Sequence, residues 1–115
     1  MEVYSELVES LKNCDAACKN CAISCVEEED IEKMSNCIKL NLHCAEVCHL
    51  ALSLVTRDSD YAESAVELCI NICAESATEC DEYEHDQCLI SAEACRRTAA
   101  HCRNYLEQAA KPESI

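Results

Sequence analysis

A chain of 115 residues with a net charge of −14, thirteen cysteines, one proline and no glycine is confined to few function classes. Nucleic acid is an unsuitable partner, because phosphate binding needs clustered Lys and Arg, and only Arg96, Arg97 and Arg103 approach a cluster. The lack of glycine removes glycine-rich nucleotide loops and the tight turns on which sheet-rich folds depend, and the four tyrosines are the only aromatics, so the core is aliphatic and sulfur.

The first predicted helix runs over residues 4–27. Its heptad steps of three and four pick out Leu7, Leu11, Cys14, Cys18, Cys21 and Cys25. An acidic break, "EEED", follows at 27–30, and Asp30 is the expected N-cap of the second helix, over 31–56. The inward stripe there is Met34, Cys37, Asn41, Cys44, Cys48, Ala51 and Val55. After "RDSD" at 57–60 comes a third helix over 60–83, with Ala62, Val66, Cys69, Cys73, Ser76, Cys80 and Tyr83 inward. Asp60 and Glu63 resemble a capping box at its start. Asp86 is the expected N-cap of a fourth helix over 86–109, whose stripe is Cys88, Ser91, Cys95, Thr98, Cys102 and Tyr105. The tail "KPESI" should fray. All thirteen cysteines fall on these stripes. Four helices of similar length with short links predict an all-α fold, one antiparallel up-down-up-down four-helix bundle with a cysteine-lined core, spanning residues 1–115 as a single domain.

Stacked antiparallel, the stripes make a lopsided core. Leu7, Leu11, Val55, Ala62, Val66 and Tyr105 should form an apolar plug at the end that holds the termini. Cys25, Cys37, Cys80 and Cys88 should meet at the other end, the mouth, with Met34 and His85 nearby. Acidic residues crowd that mouth: Glu27, Glu28, Glu29, Asp30, Glu32, Asp81, Glu82, Glu84 and Asp86. They form either a solvated surface or a field that focuses cations toward the opening. Ile38, Leu40, Leu42, Val47, Leu50, Leu52 and Leu54 lie off the stripe of the second helix, as flanking core or as a subunit interface. No apolar run is expected to reach the roughly 20 residues of a membrane span. The acidic "MEVYSELVES" lacks the basic and apolar regions of a signal peptide, so a cytosolic protein with reduced thiols is expected.

Cysteine can serve as a small buried hydrophobe, but thirteen exceed that use. A disulfide scaffold suits them poorly: the number is odd, and helical neighbours sit about 5–6 Å apart at Cβ where a disulfide wants roughly 3.8 Å. Thiolates at i and i+4, by contrast, turn readily onto one soft metal ion. Soft thiolates select Cu(I), Zn(II) or iron–sulfur clusters. Four thiolates around zinc leave two negative charges, and the mid-helix N–H groups that would offset them are already used. Cu(I) replaces a thiol proton one for one, so a filled core stays neutral and burial costs far less. The bacterial cluster spacing and its proline are missing from "CDAACKNCAISC". A zinc or iron–sulfur module and a thiol-based redox protein remain the alternatives.

The runs "NCIKLNLHCAEVCHLA", "CINICAESATEC" and "HDQCLISAEACRRTAAHCR" resemble the bacterial copper storage proteins, and the resemblance covers nearly the whole chain. It implies a four-helix bundle storing many Cu(I) ions along its axis, a cytosolic location, assembly into homo-tetramers, and no enzymatic activity. By position, the implied metal ligands are Cys14, Cys18, Cys21, Cys25, Cys37, Cys44, Cys48, Cys69, Cys73, Cys80, Cys88, Cys95 and Cys102. Asn41, Ser76, Ser91 and Thr98 stand where cysteine would extend the column. Gaps in the metal chain are expected near them, as are hydrogen bonds from them to carbonyls four residues back.

Met34 and His85 are candidates for a copper entry site, thioether and imidazole both being workable ligands. His43, His49 and His101 point off the stripe, toward surface or interface. Glu46 with His49 and Glu82 with His85 match the Glu-x-x-His spacing of di-iron bundles, but Cys44 and Cys48 already hold the inward face, which argues against that enzyme.

Overall fold

The computed structural model describes residues 2–110, and the expected fraying of residues 111–115 lies outside them. Its elements are α1 (Glu2–Val26), a 3-10 turn (Ile31–Met34), α2 (Ser35–Thr56), α3 (Ala62–Cys80) and α4 (Asp86–Ala110). Each helix packs on the two that neighbour it in a closed ring, α1 on α2, α2 on α3, α3 on α4 and α4 on α1. That is the up-down-up-down bundle expected of four apolar stripes joined by short links.

The stripes face inward as their period requires. Every predicted stripe cysteine is buried, together with Leu7, Leu11, Met34, Asn41, Ala51, Val55, Ala62, Val66, Ser76, Ser91 and Thr98. Tyr83 and Tyr105 are only partly buried. Small residues flank the stripe and let the helices approach: Ala22, Ala45, Ala65, Ala77, Ala92, Ala94 and Ala99 are buried as well. On α2, Ile38, Val47, Leu52 and Leu54 pack partly buried against the core, whereas Leu42 and Leu50 are exposed. The segment Ile31–Thr56 is long and apolar enough to cross a membrane by length and composition, contrary to the sequence expectation. Its apolarity is shared among an inner face of core residues, flanks partly buried against the core, and the exposed Leu42 and Leu50.

The helix ends differ from expectation in instructive ways. The second helix starts at Ser35 rather than residue 31, because the chain first makes a tight turn with Lys33 N–H donating to the Asp30 carbonyl. That turn seats Met34 in the core with no exposed surface. Asp30 precedes it without a capping side-chain bond. The third helix starts at Ala62, and Tyr61 before it makes no capping side-chain bond either. The Asp60–Glu63 capping box is therefore not formed, and Ser59 Oγ accepts from the Tyr61 N–H instead. Asp86 lies inside the first turn of α4 rather than ahead of it. The third helix ends at Cys80, and residues 82–83 continue in tighter bonds, with Tyr83 N–H reaching the Cys80 carbonyl.

One turn does the work usually given to glycine. Asp58 has φ of 53°, the left-handed region that costs an L-residue roughly 1–2 kcal/mol. Ser59 N–H bonds the Leu54 carbonyl at 3.0 Å and Asp58 N–H bonds the Val55 carbonyl at 3.1 Å. This is the Schellman pattern, with Asp58 in the position glycine prefers.

Candidate metal centre

The thirteen cysteines are all free and buried, and their sulfurs form two separate networks. At the mouth, Cys21, Cys25 and Cys88 meet at 3.8–3.9 Å, and Cys37 lies 3.9 Å from Cys80. Cys21, Cys25, Cys37 and Cys88 present four sulfurs within 4.8 Å of one another. Deeper in the bundle, Cys14 touches Cys18, Cys44 and Cys95 at 3.8–4.0 Å. Cys44 lies 3.6 Å from Cys73 and 3.7 Å from Cys95. Cys69 lies 3.7 Å from Cys48 and 3.8 Å from Cys73. Two further quartets arise here, Cys14, Cys44, Cys48 and Cys73, and Cys14, Cys18, Cys44 and Cys95. Cys102 joins this network through Cys69.

Those separations suit shared soft ions. With metal–sulfur bonds near 2.3 Å, three sulfurs around one ion lie about 4.0 Å apart. The i,i+4 pairs Cys14–Cys18 and Cys21–Cys25 are already at 3.9 Å, and Cys69–Cys73 at 3.8 Å. The helix supplies the spacing, and the neighbouring helices supply the third donor.

Ionisation inside the core is uneven. Burial, then the proximity of Cys25, pushes the Cys88 thiol up to about 12. Contact with Cys69, then burial, raises Cys102 above the ordinary thiol range. Contacts with Cys14, Cys44 and Cys95, with burial behind them, raise Cys18. Cys14 moves down, because as a thiolate it accepts hydrogen bonds from Cys18, Cys44 and Cys48. Cys80 moves down for the same reason, accepting from Cys21 and Cys37. Cys44 and Cys69 move down as well, so the inner network holds three lowered thiols and the mouth network one, set among raised neighbours as in other coupled groups. A metal that replaces protons without adding net charge meets the smallest opposition.

Between the networks lies a polar layer. Ser91 Oγ donates to Asn41 Oδ1 at 2.6 Å across the bundle. Asn41 Nδ2 donates to the Cys37 carbonyl at 2.8 Å, and lies 3.3 Å from Cys37 Sγ and 3.4 Å from Cys80 Sγ. On the inner side, Cys18 Sγ lies 3.6 Å from Ser91 Oγ. The expected bond to the carbonyl four residues back is present for Asn41 alone. Thr98 donates to the Ser10 carbonyl of α1 instead, and the Ser76 hydroxyl is buried without a partner.

At the rim, His85 Nδ1 is 3.5 Å from Glu28 Oε1, and Gln87 Nε2 donates to the same oxygen at 3.4 Å. Glu28, Asp30 and His85 place three donor atoms within 4.8 Å of one another. Asp81 is paired with Arg96; Glu27, Glu29, Glu32, Glu82, Glu84 and Asp86 are exposed. Met34 is wholly buried, whereas His85 is partly exposed. His43 and His49 are on the surface, and Glu46 is exposed beside them, so the Glu-x-x-His pair of α2 faces away from the core. His101 is only partly exposed, bonded to Ser10 of α1 and 3.5 Å from Glu6. Ser10 was not legible from the stripe; its one signal is a small polar residue adjoining Leu11.

Comparison with known proteins gives consistent results. A family model described as "Copper storage protein" matches residues 1–107. An uncharacterized cysteine-rich protein of Bacillus subtilis, YhjQ, is 38% identical over 105 residues, which is 90% of this chain and 97% of that one. Among solved structures, Cu(I)-bound copper storage protein BsCsp3 superposes with a TM-score of 0.83 at 37% identity, covering 88% of this chain and 96% of the other. A cytosolic copper storage protein from Streptomyces lividans, solved with five coppers, superposes with a TM-score of 0.88 at 28% identity, covering 92% and 93%.

Proposed function

The chain belongs to the copper storage protein family, and on that premise we propose how its own residues hold the cargo. It stores and buffers Cu(I), several ions per chain, in clusters of core cysteines, and it is not an enzyme. The ligands are Cys14, Cys18, Cys21, Cys25, Cys37, Cys44, Cys48, Cys69, Cys73, Cys80, Cys88, Cys95 and Cys102. One observation carries this assignment: all thirteen are free, fully buried and spaced for shared soft ions. Each bound ion breaks one S–H bond and makes sulfur–copper bonds, and the released proton goes to solvent, so the interior gains no charge. Burial of unpaired thiolate is thereby avoided. The work belongs in the cytosol, where thiols stay reduced; the Streptomyces lividans relative is described as cytosolic.

Copper enters at the mouth. His85, at the rim, is the outer ligand and Met34, buried in the core, the next. The acidic rim raises the local cation concentration. Residues 1–115 act as one domain. Copies assemble as a tetramer through α2, whose exposed Leu42 and Leu50 are the apolar surface that the core does not use.

The deciding experiment is an anaerobic titration of reduced protein with Cu(I) against a competing chelator. Saturation near one copper per cysteine supports the assignment; saturation at one to four ions, or tighter binding of zinc, overturns it. Replacing His85 by Ala should slow uptake while leaving the final copper content alone. Replacing Leu42 and Leu50 by Glu should lower the mass measured by light scattering.

A further inference from the structure

The two sulfur networks do not touch. Among the described residues, no sulfur–sulfur hydrogen-bond contact joins the mouth set (Cys21, Cys25, Cys37, Cys80, Cys88) to the inner set. The bridge between them runs through oxygen and nitrogen: Cys18 to Ser91, Ser91 to Asn41, and Asn41 to Cys37 and Cys80. Asn41 and Ser91 have no exposed surface. Their hydrogen bond joins α2 to α4, helices that lie diagonally across the ring, so it crosses the axis along which an ion would travel.

We propose that the Asn41–Ser91 pair is a gate that divides the core into two copper compartments, loaded in order from the mouth. The proposal rests on the storage reading above. An ion that has reached the mouth set meets a closed hydrogen bond between oxygens, which are poor partners for Cu(I). The same contacts give the gate its trigger. Asn41 Nδ2 donates into lone pairs of the Cys37 and Cys80 sulfurs. Copper on those sulfurs takes the same lone pairs, and the amide loses two acceptors. The amide keeps its bond to the Cys37 carbonyl, but with fewer partners the brace opens more readily. Ser76, level with Asn41 because it sits between Cys73 and Cys80 as Asn41 sits between Cys37 and Cys44, carries a buried hydroxyl without a partner. It is available to the displaced amide, so the open state leaves fewer polar atoms orphaned. Filling the outer set thus unlocks the inner one.

The test uses the full-length reduced protein, with Cu(I) delivered anaerobically as a chelate. Thiolate-to-copper charge-transfer absorbance is followed after rapid mixing. At partial loading, the unreacted thiols are alkylated and mapped by mass spectrometry. The wild type should fill in two phases, the five mouth cysteines protected first and the other eight later. Ser91→Ala removes one hydroxyl and should speed the slow phase roughly five- to tenfold, the range expected for one lost hydrogen bond, and blur the order of protection. Asn41→Ala, with both arms removed, should merge the phases. A single wild-type phase with protection spread evenly overturns the gate, as does a slow phase that neither variant changes. Entry through the side is the specific rival, because Cys73 and Cys95 also line a groove of about 230 Å³ between α3 and α4, with Ala77 and Ala99. If Ala77→Leu slows the inner phase and Ser91→Ala does not, copper bypasses the brace and the gate is wrong. Failure of charge-transfer absorbance to appear at all would instead refute copper storage itself.

Discussion

Leu7, Leu11 and Val66 fill one end of the bundle, and Cys21, Cys25, Cys37, Cys80 and Cys88 fill the other; none of these side chains has exposed surface. Equal burial conceals different energetics. A buried Leu or Val contributes about 1.5–3 kcal/mol whether or not a ligand is present. A buried thiol is a smaller hydrophobe whose proton is exchangeable for metal. The carbon end keeps the empty protein folded, and the sulfur end gains its stability with cargo. The contrast explains why the column stops short of the termini: an all-sulfur interior would leave the apo protein without an anchor.

The contrast can be broken first by metal. If the sulfur end is stabilised by copper, Cu(I) at a thousandfold its dissociation constant adds about 4 kcal/mol per independent site. Thermal unfolding should shift far upward on loading and return when a chelator strips the metal. Leu11→Ala attacks the other end. It should cost the apo protein about 2–5 kcal/mol in chemical denaturation while copper content at saturation stays the same. Should Leu11→Ala instead lower the copper content, the two ends would not be the separate units described.

Alkali tests the sulfur end alone. Burial pushes the Cys88 thiol up to about 12 in the fold, against 9.0 for a free thiol. Below pH 9 both states keep the proton and its stabilisation is complete. Between pH 9 and about 12 the unfolded chain loses the proton that the folded chain retains. Apo stability should therefore fall with rising pH, by up to about 1.4 kcal/mol per unit from this thiol. Copper-loaded protein, with no such proton to lose, should show a flatter profile in the same denaturation series. A smaller effect separates the polar layer from both ends. Ser76→Ala removes a buried hydroxyl without a partner and should be neutral or stabilising by about 1 kcal/mol. Asp58→Gly, relieving a left-handed aspartate, should add a few tenths to about 1 kcal/mol and leave copper uptake alone.

The bundle and its thirteen inward sulfurs were legible because period is a property of the chain alone. Cysteine at steps of three and four marks a face, whatever surrounds it. Helix ends were less legible. Asp30, Asp60 and Asp86 have the chemistry of N-caps, but the turn that buries Met34 and the Ser59–Tyr61 bond leave the first two without that role, and Asp86 falls inside the first turn of α4. Tertiary packing chose between equivalent acidic residues, and nothing local distinguishes them. The polar layer was half legible. Asn41, Ser76, Ser91 and Thr98 stand out as oxygens on a sulfur stripe, but that Asn41 meets Ser91 on the diagonal helix depends on the register between helices. For Ser10 and His101 the same holds: ninety-one positions separate them, and only the α1–α4 seam brings them together.

The interior holds its sulfurs 3.6–4.0 Å apart, close to the spacing of donors that share an ion. Filling it therefore asks for little movement of the helices, and the outer surface of a full copy should match that of an empty one. Any cellular component that docks on the exterior would then be blind to occupancy. Withdrawal of the metal would be governed by competition for the ions themselves, with the amount released following the ambient demand rather than a signal read from the protein's shape.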